Sequence, residues 1–163
     1  MIAPRVIVDT NIVSYLFEWS ELGVRYDRLL AQYAGCVSAV TLYELYFGAF
    51  WRGWGRARWK RLEGILCRFE CVPLSAEAAK LAAHVTAARK EAGKPIGWAD
   101  ACIAATALTT GVPVMTHDRD FDDIDRLEVI TALPNLGVSE AIADFYGRPV
   151  TASRPLSTAL WSH

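Results

Sequence analysis

The fold is decided by residues 6–16, which read VIVDTNIVSYL. The stretch opens with a continuous apolar run at residues 6–8, and such runs are typical of strands buried on both faces of a parallel sheet. Asp9 follows at once, and apolar residues then recur at helical spacing over residues 12–18. The pattern predicts a short buried strand that ends on a carboxylate and leads directly into a helix.

Strand-like and helix-like segments alternate along the rest of the chain. Further strands are predicted at residues 36–37, 69–74, 114–116 and 127–131. Helices are predicted at residues 12–18, 21–33, 39–49, 57–67, 76–92, 98–110 and 139–146, with Thr10 or Asn11 as the cap of the first. This alternation predicts one α/β domain over residues 1–147 with a parallel sheet and right-handed crossovers. Residues 148–163 have turn residues and little periodicity, so we expect a loosely ordered tail.

Composition limits the classes of protein to consider. The chain has 163 residues, of which 53% are hydrophobic and 21% charged, so it can bury the core of an ordinary domain. The net charge of −1 does not indicate a globally basic nucleic-acid binder, and any such surface must be local. The N-terminus lacks a signal pattern and no apolar run approaches the roughly 18 residues of a membrane helix. We therefore expect a soluble, cytoplasmic protein with no membrane partner.

Four acidic residues lie beside apolar segments that would fix their backbones. Asp9 ends the first predicted strand, and Asp118 follows the fourth. Because ligands of open parallel sheets bind at the carboxyl ends of the strands, these two acids can meet at one edge. Asp100 lies in the first turn of a buried helix that leads into the fourth strand, and Glu44 lies on a helix with one apolar face.

Each acid also has a purely structural interpretation. Asp9 could be a helix N-cap, and Asp100 a first-turn acid favoured by the helix dipole. Glu44 could face solvent, and Asp118 could be a turn residue. Four such acids together favour a shared site, because clustered carboxylates repel and are costly to bury without a neutralising cation.

The chemistry of these ligands indicates a particular kind of metal and reaction. Oxygen ligands point to Mg²⁺ or Mn²⁺ rather than zinc. The sequence has no Ser-His-Asp or Cys-His arrangement, no Walker loop and no dinucleotide-binding glycine pattern. An acidic metal site without a built-in nucleophile suits phosphodiester hydrolysis by an activated water.

Four segments resemble, in order, the motifs of PIN-domain ribonucleases, and most of all the VapC-type toxins of bacterial toxin–antitoxin pairs. They read VDTNIVSYL from residue 8, SAVTLYELYFGA from residue 38, DACIAATA from residue 100 and VMTHDRDF from residue 114. The resemblance spans residues 5–131. It implies a three-layer α/β/α, Rossmann-like fold in which helices cover both faces of a sheet of about five parallel strands.

The resemblance also implies an activity and its site. It implies an Mg²⁺-dependent endoribonuclease, accepting Mn²⁺ as a substitute, that cuts tRNA, rRNA or mRNA, is neutralised by a VapB-type antitoxin and forms a homodimer. Carried over by position, the metal-binding and catalytic acids are Asp9, Glu44, Asp100 and Asp118, with Asp120 as an alternative to the last. Asn11 and Thr116 match polar positions that orient the acids or water.

A basic segment at residues 51–61, WRGWGRARWKR, contains no acid. Its candidate binding residues are Arg52, Arg56, Arg58, Lys60, Arg61 and Trp54. The structural interpretation is a solvated cationic helix whose tryptophans pack on the core. The functional interpretations are RNA binding, with arginines on phosphates and a tryptophan stacked on a base, or docking of an acidic antitoxin tail. The position of antitoxins in family members favours the second.

Two rival functions start from the same acids. An inactive PIN-like binding module would dock a protein or RNA partner without cleavage, but degenerate members lose acids and here all four are present. A phosphorylated receiver or aspartate phosphatase also places Asp at strand ends. The phosphatase pattern requires a second Asp two residues after Asp9, where this chain has Asn11.

Overall fold

The computed structural model describes residues 3–132, and strands and helices alternate along them as predicted. The strands are Arg5–Val8 (β1), Ala34–Ser38 (β2), Glu70–Val72 (β3), Val114–Met115 (β4) and Val129–Ile130 (β5). The helices are Thr10–Glu18 (α1), Glu21–Leu30 (α2), Ala39–Trp51 (α3), Arg56–Leu66 (α4), Ala76–Glu91 (α5) and Trp98–Thr110 (α6). The predicted helix at residues 139–146, the domain end at 147 and the tail at 148–163 lie outside the described residues.

The five strands form one parallel sheet in the order β3-β2-β1-β4-β5. The chain leaves the central β1 to build one half of the sheet and then returns to β4 on the other side of β1. The strand order therefore reverses between β1 and β4, which is where open α/β sheets bind ligands. The register places Val8 beside Met115, so the next residues of both strands emerge side by side.

Helices cover both faces of the sheet, which confirms the predicted three-layer α/β/α architecture. Val6 and Val8 of β1 pack into a core shared with α1, α2 and α4, while Ile7 points to the opposite core, shared with α5 and α6. All three side chains are fully buried. Because β1 is buried on both faces, its continuous apolar run is explained by its central position.

Element ends differ from the predictions by a few residues. Helix α2 ends at Leu30 rather than at residue 33, because Ala34 already pairs with Arg5 of β1 and its N–H donates to the carbonyl of Pro4. The chain must therefore leave the helix in time to reach the sheet. Among the helices of residues 3–132, none combines the length and the apolar character required to span a membrane.

Candidate metal-dependent active site

The carboxyl ends of β1 and β4 bring Asp9 and Thr116 together. The parallel register continues beyond the strands, and the backbone N–H of Asp9 donates to the carbonyl of Met115 at 3.0 Å. The Thr116 hydroxyl donates to Asp9 Oδ2 at 2.7 Å. Both residues are buried, at 3% and 0% exposure, so the sheet fixes this carboxylate with little freedom.

Asp9 is also the N-cap of α1, where Thr10 or Asn11 was predicted. Its Oδ1 accepts a hydrogen bond from the Thr10 backbone N–H at 2.6 Å. Burial raises the pKa of Asp9 to about 7, against the opposing effect of these hydrogen bonds and with added repulsion from Glu44 and Asp118. Capping and membership of the acidic site are therefore compatible roles of one side chain.

Helix α3 places Glu44 next to the start of α1. The Thr10 hydroxyl donates to Glu44 Oε2 at 2.5 Å, and burial raises the pKa of this half-buried carboxyl. Thr10 thus links two acids, since its N–H binds Asp9 and its hydroxyl binds Glu44. Sequence reasoning missed this role, because a threonine beside a strand end looks like a helix cap.

Asp100 lies in the first turn of α6 and is half-buried. Burial raises its pKa to about 8, and repulsion from Asp9, Glu44 and Asp118 adds to the effect. Within residues 3–132 no donor forms a hydrogen bond with its carboxylate. A Cβ at Gly97 would lie 3.0 Å from Asp100 Oδ2, so the absence of a side chain at Gly97 leaves room for the carboxylate.

Asp118 begins a short 3₁₀ turn, Arg119–Phe121, directly after β4. Its backbone N–H donates to the Thr116 hydroxyl at 3.0 Å, and its Oδ1 accepts from the Asp120 N–H at 2.9 Å. Asp118 is half-buried, whereas Asp120 is exposed. Burial and the charge of Asp118 raise the pKa of Asp120, and Arg89 opposes that rise.

Asn11 forms hydrogen bonds with the two residues that follow β4. The Asn11 amide donates to the Thr116 hydroxyl at 3.3 Å and accepts from the His117 backbone N–H at 3.4 Å. Burial lowers the pKa of His117. The His117 ring forms a hydrogen bond with the hydroxyl of Tyr26, a buried residue of α2. No sequence motif indicated a role for Tyr26 at this site.

The side chains of the acidic cluster are of the kind that bind a divalent cation with a preference for oxygen ligands. The donors are carboxylates, Asp9 and Asp100 have pKa values raised by burial and mutual repulsion, and the Gly97 position leaves space beside Asp100. Within residues 3–132, no three acidic, histidine or cysteine side chains are already gathered closely enough to hold a metal ion. The site is therefore an acidic cluster that a cation would have to draw together.

The basic segment lies along the end of α3 and along α4. Its exposed members are Arg56, Arg58, Lys60 and Arg61, and none of them has an acidic partner in the described part of the chain. Trp54 is half-buried and stacks on Phe17 with ring centroids 4.8 Å apart, and the Arg58 guanidinium lies 4.4 Å from the indole. Trp54 therefore packs on the core, as the structural interpretation of the basic segment predicts.

A row of exposed aromatic side chains runs along the outer face of α3. The rings of Tyr43, Phe47 and Trp51 stack in succession, with centroids 6.0 and 6.1 Å apart, and Trp98 contacts Tyr43 edge-on. We call these four residues and Phe50 the α3 aromatic face. Their exposed fractions range from 44% to 75%. Exposure of this much aromatic surface is typical of an interaction site.

Comparison with known proteins agrees with the geometry. The profile of the PIN domain family matches residues 6–127. The tRNA(fMet)-specific endonuclease VapC of Shigella flexneri is 29% identical over 124 residues, covering 76% of this chain and 94% of that protein. VapC ribonuclease Y4jK of Sinorhizobium fredii is 30% identical over 138 residues, covering 77% and 95%.

Solved structures show the same fold. DNA-bound VapBC from Salmonella typhimurium matches with a TM-score of 0.65 and 26% identity, over 78% of this chain and 98% of that one. VapBC2 from Rickettsia felis, bound to a promoter DNA fragment, has a TM-score of 0.69 at 22% identity, over 78% and 98%. The resemblance carried by the four motifs is confirmed: the chain belongs to the PIN domain family and, within it, to the VapC group.

Proposed function

We propose that this chain is the toxin of a toxin–antitoxin pair and acts as an endoribonuclease that depends on a divalent cation, Mg²⁺ or Mn²⁺. The observation that carries the proposal is the set of acids at the switch point of the sheet, where burial and mutual repulsion raise the pKa of Asp9 and Asp100 to about 7 and about 8. Relatives with similar sequences are named as tRNA(fMet)-specific endonucleases and ribonucleases. RNA is accordingly the substrate class, with tRNA, rRNA and mRNA as candidate targets.

The chain's own residues would hold the cation and orient the reaction. Asp9, Glu44, Asp100 and Asp118 would be its ligands, and Thr116 and Asn11 would support them from the end of β4. A bound divalent cation supplies water activation and stabilises charge on the leaving oxygen. Thr116 donates to Asp9 Oδ2, Thr10 to Glu44 Oε2 and the Asp120 N–H to Asp118 Oδ1, so three of the four acids are oriented before substrate arrives. Acids that are already oriented need less free energy to reach the geometry in which the reaction occurs.

Asp118 is a better candidate than Asp120 for the fourth acid. Its charge is among the leading causes of the raised pKa of both Asp9 and Asp100, whereas the charge of Asp120 is a leading cause only at Asp100. Asp118 is also tied to Thr116 through its backbone N–H. Asp120 is exposed, and Arg89 offsets part of its charge.

The basic segment on α4 is proposed as part of the antitoxin-binding surface. Beside it, a groove of about 340 Å³ is lined by Phe17, Glu18, Ala57, Arg58 and Arg61. The exposed cations lack acidic partners in the described residues, so an acidic segment of a VapB-type antitoxin would complement them. Several similar structures are VapBC complexes, which supports a cognate antitoxin as the partner.

The α3 aromatic face is proposed as the contact surface of a homodimer. Its neighbours Glu44 and Asp100 belong to the acidic cluster, being one residue from Tyr43 and two from Trp98 along the chain. Association through this face would place the two clusters near a common interface. Burial of several aromatic side chains is the usual source of affinity in such contacts.

The experiment that tests the proposed activity compares single substitutions in an RNA cleavage assay. We expect Asp9→Asn and Asp100→Asn to lose at least about 100-fold in cleavage rate, since each removes a charged ligand of the cation. Asp125→Asn, which changes an exposed acid that is not one of the four proposed ligands, serves as the matched control and should cleave normally. Wild-type rates in both cluster variants would contradict the proposal and favour the alternative of an inactive PIN-like binding module.

A further inference from the structure

Tyr26 occupies an unusual position for a residue of the outer helix layer. It is fully buried, yet its hydroxyl oxygen meets four polar groups at the carboxyl ends of β4 and β5. The partners are the Thr116 carbonyl at 3.2 Å, His117 Nδ1 at 2.8 Å, Thr131 Oγ1 at 3.2 Å and the Ala132 N–H at 3.1 Å. A hydroxyl can donate one hydrogen bond and accept two, so at most three of these four contacts are hydrogen bonds at one time, and the hydroxyl is fully hydrogen-bonded.

The partners of Tyr26 belong to the segment that leads into the acidic cluster. Thr116 and His117 are the only residues between β4 and Asp118. The Thr116 side chain bonds to Asp9 and to the Asp118 N–H, while its carbonyl meets Tyr26. Tyr26 therefore contacts the backbone and the histidine ring of this segment, while the Thr116 side chain contacts Asp9.

Ring packing restricts the same segment. The His117 ring lies edge-on to Tyr26, with centroids 5.7 Å apart, and edge-on to Tyr15, with centroids 5.6 Å apart. Tyr15 and Tyr26 stack on each other at 6.3 Å. Burial raises the pKa of the Tyr26 hydroxyl, so it stays protonated and able to donate at all ordinary pH values.

We propose that Tyr26 is a positioning residue for the cation: through its hydrogen bonds to Thr116 and His117 it fixes the segment that orients Asp9 and carries Asp118. This inference rests on the proposed function, because it concerns the affinity of that acidic site for a divalent cation. Groups that orient metal ligands from behind typically contribute about 10–100-fold to metal affinity. Removing the hydroxyl while keeping the ring isolates this effect from core packing.

The test is calorimetric titration of the full chain with Mn²⁺. In Tyr26→Phe we expect the dissociation constant for Mn²⁺ to rise about 10-fold, and we expect RNA cleavage to recover when Mn²⁺ is raised in proportion. The matched control is Tyr33→Phe, which removes a hydroxyl from a half-buried tyrosine packed on the same core and should bind Mn²⁺ like the wild type. A merely structural role would lower the melting temperature of Tyr26→Phe without changing its Mn²⁺ dissociation constant.

The outcomes separate this inference from the proposed function. Wild-type Mn²⁺ affinity in folded Tyr26→Phe overturns the positioning role alone. Absence of any Mn²⁺ site in the wild-type chain overturns both proposals. If Tyr26→Phe does not fold, His117→Phe decides, because it removes the ring nitrogen that meets the Tyr26 hydroxyl and keeps an aromatic ring against Tyr15 and Tyr26. A several-fold weaker Mn²⁺ affinity in that variant supports the role, and an unchanged affinity overturns it.

Discussion

Among the acids of residues 3–132, Asp9 and Asp100 have the pKa values that are raised furthest by their surroundings. Their pKa values lie at about 7 and about 8, above the ordinary value of 3.8, chiefly because burial penalises the charged form. At these two acids the folded chain therefore binds more protons than the unfolded chain between about pH 4 and pH 8. In that window the stability of the cation-free protein falls as pH rises.

The fall in stability with rising pH can be measured as a change in melting temperature. In EDTA the melting temperature should decrease from pH 5 to pH 8, and added Mn²⁺ should raise it more at pH 8 than at pH 5, since only ionised acids bind the cation. Asp100→Asn should show a weaker pH dependence and a smaller response to Mn²⁺. Thermal denaturation measures both quantities. A melting temperature that is constant or rises over this range in EDTA would contradict the assigned pKa values.

A second prediction concerns the space beside Asp100. In Gly97→Ala the new Cβ would press on Asp100 Oδ2 and displace the carboxylate by a few tenths of an ångström. We expect Mn²⁺ affinity to fall about 10-fold, with a loss in unfolding free energy of about 1 kcal/mol, because Gly97 is the N-cap of α6 and alanine is a poor N-cap. Gly64→Ala, where a Cβ meets nothing within 4 Å, is the matched control for calorimetry. Equal Mn²⁺ affinity in Gly97→Ala and Gly64→Ala would argue against Asp100 as a ligand.

Among the structural elements, α1 and α2 are held together by a close backbone contact at Gly23. A Cβ at this position would collide with the Tyr15 carbonyl of α1. We predict that Gly23→Ala destabilises the fold by about 1–3 kcal/mol, although alanine favours helix formation. Urea denaturation measures the loss, and Gly64→Ala again provides the control because it gains helix propensity without a clash. Stabilisation by Gly23→Ala would show that the two helices can separate freely.

Helix α4 allows the two functions of the basic segment to be separated. We expect Arg58→Glu and Arg61→Glu to weaken capture of a cognate VapB-type antitoxin by at least about 10-fold, since they reverse charge in the proposed contact. RNA cleavage should change little. Arg126→Glu, an exposed site elsewhere, is the control in pull-down and cleavage assays. Loss of cleavage with intact antitoxin capture would instead place the segment on the RNA path.

The order and type of these elements could be predicted because the strands are short apolar runs bounded by turn residues. The ends of the elements could not be predicted, since they depend on which segments pair in the sheet. Helix α2, for example, ends at Leu30 because Ala34 pairs with β1. Among the site residues, Asp9 and Asp118 could be placed at one edge of the sheet because each follows a central strand. The hydrogen bonds of Thr10 to Glu44 and of Tyr26 to His117 could not be predicted, since they join side chains that are 34 and 91 positions apart in the sequence.

For the molecule as a whole, the α3 aromatic face bears on assembly. We predict that Phe47→Glu and Trp51→Glu convert a dimer into a monomer in sedimentation or light-scattering measurements, because charge on this face opposes its burial. Trp19→Glu changes an exposed tryptophan on another surface and should leave the dimer intact. A monomeric wild-type chain would exclude the proposed interface.

The proposed activity depends on a cation held by the acidic cluster at the switch point of the sheet. The most direct test follows RNA cleavage by one wild-type sample as supplied with Mg²⁺, after chelation with EDTA, and after Mg²⁺ is restored. We predict that cleavage stops on chelation and returns with Mg²⁺, while Asp100→Asn remains inactive in all three conditions. Cleavage that continues undiminished in EDTA would contradict the account.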